Sequence, residues 1–139
     1  MIKTLSLLAA AAAAFASAPA IAHEGAGSET TTRVFEQSLP NAPGKALIAA
    51  EVLYPPSGST PSHTHPQSAF IYAYVLSGEI ESAVDDEKPR IYRAGEFWYE
   101  APGARHRVSR NASRTKPAKL LAVFIVDGGV EKLAIPEAK

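Results

Sequence analysis

The sequence predicts an all-β fold, a small sandwich or barrel of short strands. Three observations predict it. Eleven prolines and nine glycines punctuate a chain of only 139 residues, which favours many turns. The segments between them are short and rich in β-branched and aromatic residues, often alternating with period two. Beyond the first 22 residues no stretch carries the spacing of an amphipathic helix.

Those first 22 residues stand apart, since ten of them are Ala. Lys3 gives a positive start, Leu5 to Ala16 an apolar run, and Ala20-Ile21-Ala22 a small-x-small cleavage site. This is the pattern of a secretory signal peptide over residues 1–22. As an anchor the run is too short and too Ala-rich. No Cys follows it to accept a lipid, and no twin Arg precedes it. The expectation is Sec-type export to the periplasm or medium and a soluble mature chain that begins near His23. Residues 23–31, rich in Gly, Ser and Thr, are expected to be a flexible segment, 32–135 the domain, and 136–139 a tail.

The strands follow in order. Thr32 to Gln37 is the first, and Leu39 to Gly44 turns the chain. Lys45 to Tyr54 places Ala46, Ile48, Ala50 and Val52 on one face. Phe70 to Leu76 is a strand by its aromatic and β-branched content. Ser77-Gly78 turns into Glu79 to Val84, and a charged turn leads to Ile91 to Arg93. Glu96 to Glu100, Arg105 to Ser109, Leu120 to Val126 and Val130 to Ile135 complete the set.

Composition excludes several functions. Basic and acidic side chains number 14 each, so the basic excess of a nucleic-acid binder is missing. Removing Lys3 with the signal peptide leaves one net negative charge. With no Cys, there are no disulfides, thiolate zinc sites or thiol nucleophiles.

The chemistry therefore falls to four histidines: His23, His63, His65 and His106. His63 and His65 are two apart, so in extended backbone they share a face. His106 opens a later strand. Neutral imidazole is a ligand for zinc, copper, iron and nickel, and three such nitrogens leave coordination positions open. A His-x-His pair alone is more often a surface pair than a ligand pair. His23 offers a separate reading, because a free N-terminal His chelates Cu(II) through its amine and Nδ1.

The surroundings of the three histidines carry a resemblance. Gly58-Ser59-Thr60-Pro61-Ser62-His63-Thr64-His65-Pro66, followed by Tyr74-Val75-Leu76-Ser77-Gly78-Glu79, resembles the first motif of the cupin superfamily. Gly95-Glu96-Phe97-Trp98-Tyr99-Glu100-Ala101-Pro102-Gly103-Ala104-Arg105-His106, with Asn111 beyond, resembles the second. The resemblance implies a cupin jelly roll or small β-barrel, often a homodimer, with a metal in the barrel mouth held by His63, His65 and His106. The metal would be a divalent transition ion: Cu, Zn, Ni, Fe or Mn.

The pattern also departs from the family. Where cupins usually place a Glu ligand after the second His, this chain has Ala69 and Phe70. Counting back from Gly78 reaches Ile71. The expectation is therefore a bare three-His site, similar to that of the thiol dioxygenases, with a preference for Cu(II) under the Irving–Williams trend. Gln67, Glu100 and Glu51 are alternative fourth ligands, and solvent exposure is the ordinary expectation for each.

Other residues divide by parity. Tyr72 and Tyr74 oppose Ile71, Ala73 and Val75, and Trp98 opposes Tyr99, so one Tyr face lines either the mouth or a partner surface. Arg105 and Arg107 share the strand face opposite His106. Asn111-Ala112-Ser113 also spells a glycosylation sequon. The expected function is an exported metal-binding cupin, a dioxygenase-like enzyme acting on a small molecule. The alternatives are a non-catalytic ligand- or metal-binding module, or a structural dimer with a degenerate site. No nucleic-acid partner and no membrane anchor after cleavage are expected.

Overall fold

Eleven strands cross residues 29–137, the part of the chain that the computed structural model describes, and alternation of buried and exposed side chains organises the longer inner ones. The signal segment, His23 and the last two residues lie outside it. In chain order the strands are β1 (Thr30–Ser38), β2 (Lys45–Tyr54), β3 (Ser59–Thr60), β4 (His63–Thr64), β5 (Phe70–Ser77) and β6 (Glu79–Val84). They continue as β7 (Arg90–Arg93), β8 (Phe97–Glu100), β9 (Arg105–Asn111), β10 (Ala118–Asp127) and β11 (Ile135–Pro136). No helix occurs among the described residues.

The strands form two antiparallel sheets. One runs β1-β2-β10-β5-β8, and the other runs β11-β4-β9-β6-β7 with β3 also paired to β9. Each sheet has one buried face, so the residues alternate as period two requires. Ala46, Ile48 and Ala50 of β2 are buried, as are Ile71, Ala73 and Val75 of β5 and Leu120, Ala122, Phe124 and Val126 of β10. The opposite sheet contributes Ile80 and Val84 from β6 and Tyr92 from β7. They meet Ala73, Val75, Trp98 and Leu120 in one core cluster between the sheets. A second cluster joins Ile48, Ala50, Ala69, Ile71, Ala122, Phe124 and Val126 within the five-stranded sheet's inner face. This two-sheet, all-β arrangement is the one the sequence predicts.

Three elements differ from the sequence reading. Strand β1 is longer than expected, and every one of its residues is exposed, so no burial pattern marks its ends. The two-residue strands β3 and β4 are too short for any periodicity to register. Val130 to Ile135 is not a strand: only Ile135 and Pro136 pair, with Thr64 and His63. The Gly128-Gly129 turn is followed by exposed Glu131 and Lys132, which break the alternation. Arg33 holds the carbonyls of Val130 and Glu131 at 3.3 and 2.5 Å, while Val130 and Leu133 pack against the second cluster. The segment is thereby laid as a loop over one end of the sheets.

Candidate metal centre

Register in the ladder between β4 and β9 sets His63 directly opposite His106. His65 follows β4 by one residue and keeps the same parity. All three rings are buried, at 5, 6 and 4% exposure for His63, His65 and His106. Their centroids stand 4.8 Å (63 to 65), 5.2 Å (63 to 106) and 6.4 Å (65 to 106) apart. One ring nitrogen from each lies within 4.8 Å of the others, a group that could hold a metal ion. In a tetrahedral site, metal–nitrogen bonds of about 2.0–2.1 Å put the nitrogens about 3.3 Å apart, so the widest pair has to close by about 1.5 Å.

The outer nitrogens are tied in a way that fixes which atom faces inward. His63 Nδ1 donates to the Pro61 carbonyl at 2.8 Å, and His65 Nδ1 donates to the Leu133 carbonyl at 2.5 Å. A carbonyl only accepts, so both Nδ1 atoms carry hydrogen and each neutral ring turns an Nε2 lone pair inward. His106 Nε2 shares a 2.8 Å hydrogen bond with the Ser82 hydroxyl, which leaves Nδ1 as the inward atom. Outer partners of this kind orient metal-binding imidazoles.

Glu100 completes the cluster, and its placement corrects the expectation of solvent exposure. It is 2% exposed. Its Oε2 is 3.1 Å from His65 Nε2, and its Oε1 is 3.2 Å from His106 Nδ1. Trp98 Nε1 donates to Oε1 at 3.2 Å. The signal was parity: Trp98 must be buried for its size, and Glu100 is two residues on along β8. The other two fourth-ligand candidates lie elsewhere. Gln67 is exposed and packs over Gly103, while Glu51 pairs with Lys119 at 3.1 Å, away from the cavity.

Electrostatics follow from burial. Desolvation lowers the His106 pKa to about 4 against the opposing pull of Glu100, helped by the neighbouring His63 and His65. Burial likewise lowers His63 although Pro61 acts the other way. For His65 burial is outweighed by the Glu100 hydrogen bond and charge, with the Leu133 carbonyl, and its pKa rises. Burial would raise Glu100, but the His65 hydrogen bond and the charges of His106 and His65 bring it below the usual carboxylate value.

Above the cluster lies a cavity of about 90 Å³. Ala50, Ile71, Ala73, Ala122 and Phe124 give it an apolar wall, and Glu29, Thr31 and Leu133 also line it. Tyr54, Thr60 and Ser109 add hydroxyls, with Tyr54 Oη hydrogen-bonded to Thr60 at 2.9 Å and to Ser109 at 2.7 Å. Among the described residues no Lys or Arg lines the cavity. Arg105 and Arg107 point outward, to Glu137 and to the Asp85 and Glu87 carbonyls. Tyr72, at 38% exposure, and Tyr99, at 64%, also lie on the outer face, where Tyr99 stacks on Phe70 at 5.8 Å. Asn111 is buried, and its amide donates to the Pro55 and Lys116 carbonyls at 3.0 and 2.7 Å. In the fold it pins the segments before and after β9.

The Cupin domain family model (Cupin_2) matches residues 50–124, more than half of the chain, and spans all three histidines and Glu100. The chain belongs to the cupin family. Among solved structures, this cupin is similar to TT1209 from Thermus thermophilus, at 26% identity and a TM-score of 0.58, over 70% of this chain and 83% of that one. It is similar to the DMSP lyase DddQ from Ruegeria pomeroyi at 24% identity and a TM-score of 0.61, over 80% of this chain and 54% of that one. It is also similar to an uncharacterized conserved protein with a double-stranded beta-helix domain from Klebsiella pneumoniae, at 20% identity and a TM-score of 0.61, over 80 and 87% of the two chains. At their identities the last two establish the cupin's fold, a double-stranded β-helix, and nothing of its chemistry. No curated protein matches the cupin in sequence.

Proposed function

We propose that this cupin is exported, binds one divalent transition metal ion through His63, His65 and His106, and acts on a small, largely apolar organic molecule in the cavity beside them. One observation carries the metal reading. Carbonyl acceptors fix the tautomers of His63 and His65, so that their Nε2 lone pairs point into the buried space that His106 Nδ1 also faces. Lone pairs turned on one another repel, and a cation relieves that repulsion. A divalent ion supplies Lewis acidity and, where the metal is redox-active, electron transfer.

The rest is done by the chain's own residues. Pro61, Leu133 and Ser82 hold the three rings in place. Ala50, Ala73 and Ala122 leave room for a ligand of only a few heavy atoms. The lack of a lining Lys or Arg among the described residues disfavours a substrate with several negative charges. A second reading, a ligand-binding module without turnover, is favoured by one feature. The Tyr54 hydroxyl is committed to Ser109 and Thr60, and burial raises its pKa despite those bonds, so it is a poor proton donor or acceptor.

Elemental analysis of protein recovered from the exported fraction tests the proposal. The expected result is one transition metal per chain, lost in His106→Ala, and an intact mass that lacks residues 1–22. A metal-free wild type that takes up no ion on titration would overturn the metal reading. Turnover of small organic substrates by the loaded protein then separates enzyme from binding module.

A further inference from the structure

We infer that Glu100 is the fourth protein ligand of this site, delivered from β8 in place of the carboxylate absent after His65. The inference rests on the three-His reading above. Its first support is the environment of the carboxylate. Glu100 is 2% exposed, and among the described residues its ion-pair partners are the two histidines, with no Lys or Arg. Burying a carboxylate with no cation is costly. Trp98 donates to Oε1, but among the described residues Oε2 faces the His65 ring, whose Nδ1 hydrogen goes to Leu133, and so has no donor while that ring is neutral.

The second support is independent. His65 Nδ1 is committed to the Leu133 carbonyl, so the neutral ring presents a lone pair to Glu100 Oε2 across 3.1 Å. Two acceptors at that distance repel unless a cation lies beside them: a proton on the ring in the metal-free protein, a metal ion in the loaded one. A metal ion drawn toward both atoms satisfies the orphaned oxygen and the ring together. The carboxylate is also suitably aimed, with one oxygen toward His65 and the other toward His106. Ala69, by contrast, is fully buried in the apolar cluster with Ile71 and Phe124 and offers the ion nothing.

The consequence is a three-nitrogen, one-oxygen set carrying one negative charge, rather than a neutral three-nitrogen set. A carboxylate oxygen is a harder ligand than imidazole, which narrows the advantage of Cu(II) over Zn(II), Fe(II) and Mn(II).

The test is titration of the metal-free protein with Zn(II) against a chelator, and with Co(II) followed by its visible spectrum. Wild type is compared with Glu100→Gln, Glu100→Asp and His106→Ala, each checked for a cooperative thermal melt. The expected result is one ion per wild-type chain and a tenfold or greater loss of Zn(II) affinity in Glu100→Gln, with an altered Co(II) spectrum. Glu100→Asp, which keeps the charge, should retain more affinity than Glu100→Gln. Unchanged affinity and spectrum in Glu100→Gln overturn the inference, and so does equal loss in the Asp and Gln variants. If His106→Ala abolishes binding while Glu100→Gln does not, the three-His site stands and Glu100 falls. If wild type binds no ion, both fall.

Discussion

His63 and His106 are cross-strand partners in the ladder between β4 and β9. That pairing makes the site a property of register: a slip of one residue would turn one ring to the opposite face. The ladder is short, with only Thr64 and Arg105 as its second pair. It is braced on its far side by β11, whose Pro136 pairs with His63.

A one-residue insertion exposes this dependence. Placing a Gly between Thr64 and His65 leaves His63 opposite His106 and reverses the parity of His65. The expected outcome is a folded protein by circular dichroism that binds metal at least tenfold more weakly than wild type. Wild-type affinity in this variant would mean that His65 is not needed.

The metal-free protein should lose stability on mild acidification. His106 titrates at about 4 in the fold, chiefly through burial, and near 6.5 when unfolded. Between those values the unfolded chain binds the extra proton. Stability from this residue is therefore complete above about pH 6.5 and lost as pH falls toward 4. A gap of this size amounts to roughly 3 kcal/mol. His63 is lowered too and adds to the loss. His65 is raised, so its contribution is present at low pH and lost as pH rises through its folded value, which offsets part of the effect. Thermal melts of metal-free protein from pH 7 to 4.5 should show a falling midpoint, and His106→Gln should flatten the curve. A flat wild-type curve would contradict a buried neutral His106.

The sequence made the sheets and the three histidines legible because both depend on local alternation. Ile71, Ala73 and Val75 against Tyr72 and Tyr74 fix the faces of β5, and His63-Thr64-His65 fixes a shared face within three residues. Glu100 was harder. Its role depends on β8 lying beside β5, with Glu100 paired to Ile71, and on which face of β8 is inward. Trp98 held that information. The Leu133 carbonyl was not legible at all: it reaches His65 from 68 residues away, through a loop whose course depends on Arg33.

Trp98→Phe tests the orientation of the carboxylate. The substitution keeps an aromatic ring against Tyr92, 4.8 Å away in the wild type, and removes the Nε1 hydrogen that Glu100 Oε1 accepts. A buried acceptor deprived of its donor costs about 1–3 kcal/mol. Loss of an outer partner of a ligand typically weakens metal binding about 10–100-fold. Chelator competition with Zn(II) should show a loss in that range. A variant with a lower melting midpoint but unchanged metal affinity would make Trp98 a packing residue only.

Gly103→Ala tests the turn that spaces Glu100 from His106. The Ala101 carbonyl accepts from Ala104 N at 3.0 Å, and Gly103 sits between them at φ +77°. A left-handed backbone costs a residue with a Cβ about 1–2 kcal/mol. The added Cβ would also stand 2.6 Å from Gln67 Oε1. Gln67 is an exposed, flexible side chain and can swing aside, so backbone strain should dominate. The expected result is a loss of about 1–2 kcal/mol in denaturant melts. Gly103→Asn should lose less, because Asn tolerates the left-handed region better. If both variants match wild type in stability, the turn is not held in this conformation. If Gly103→Ala loses far more than Asn and metal affinity falls with it, the turn also sets the distance between the carboxylate and the third imidazole.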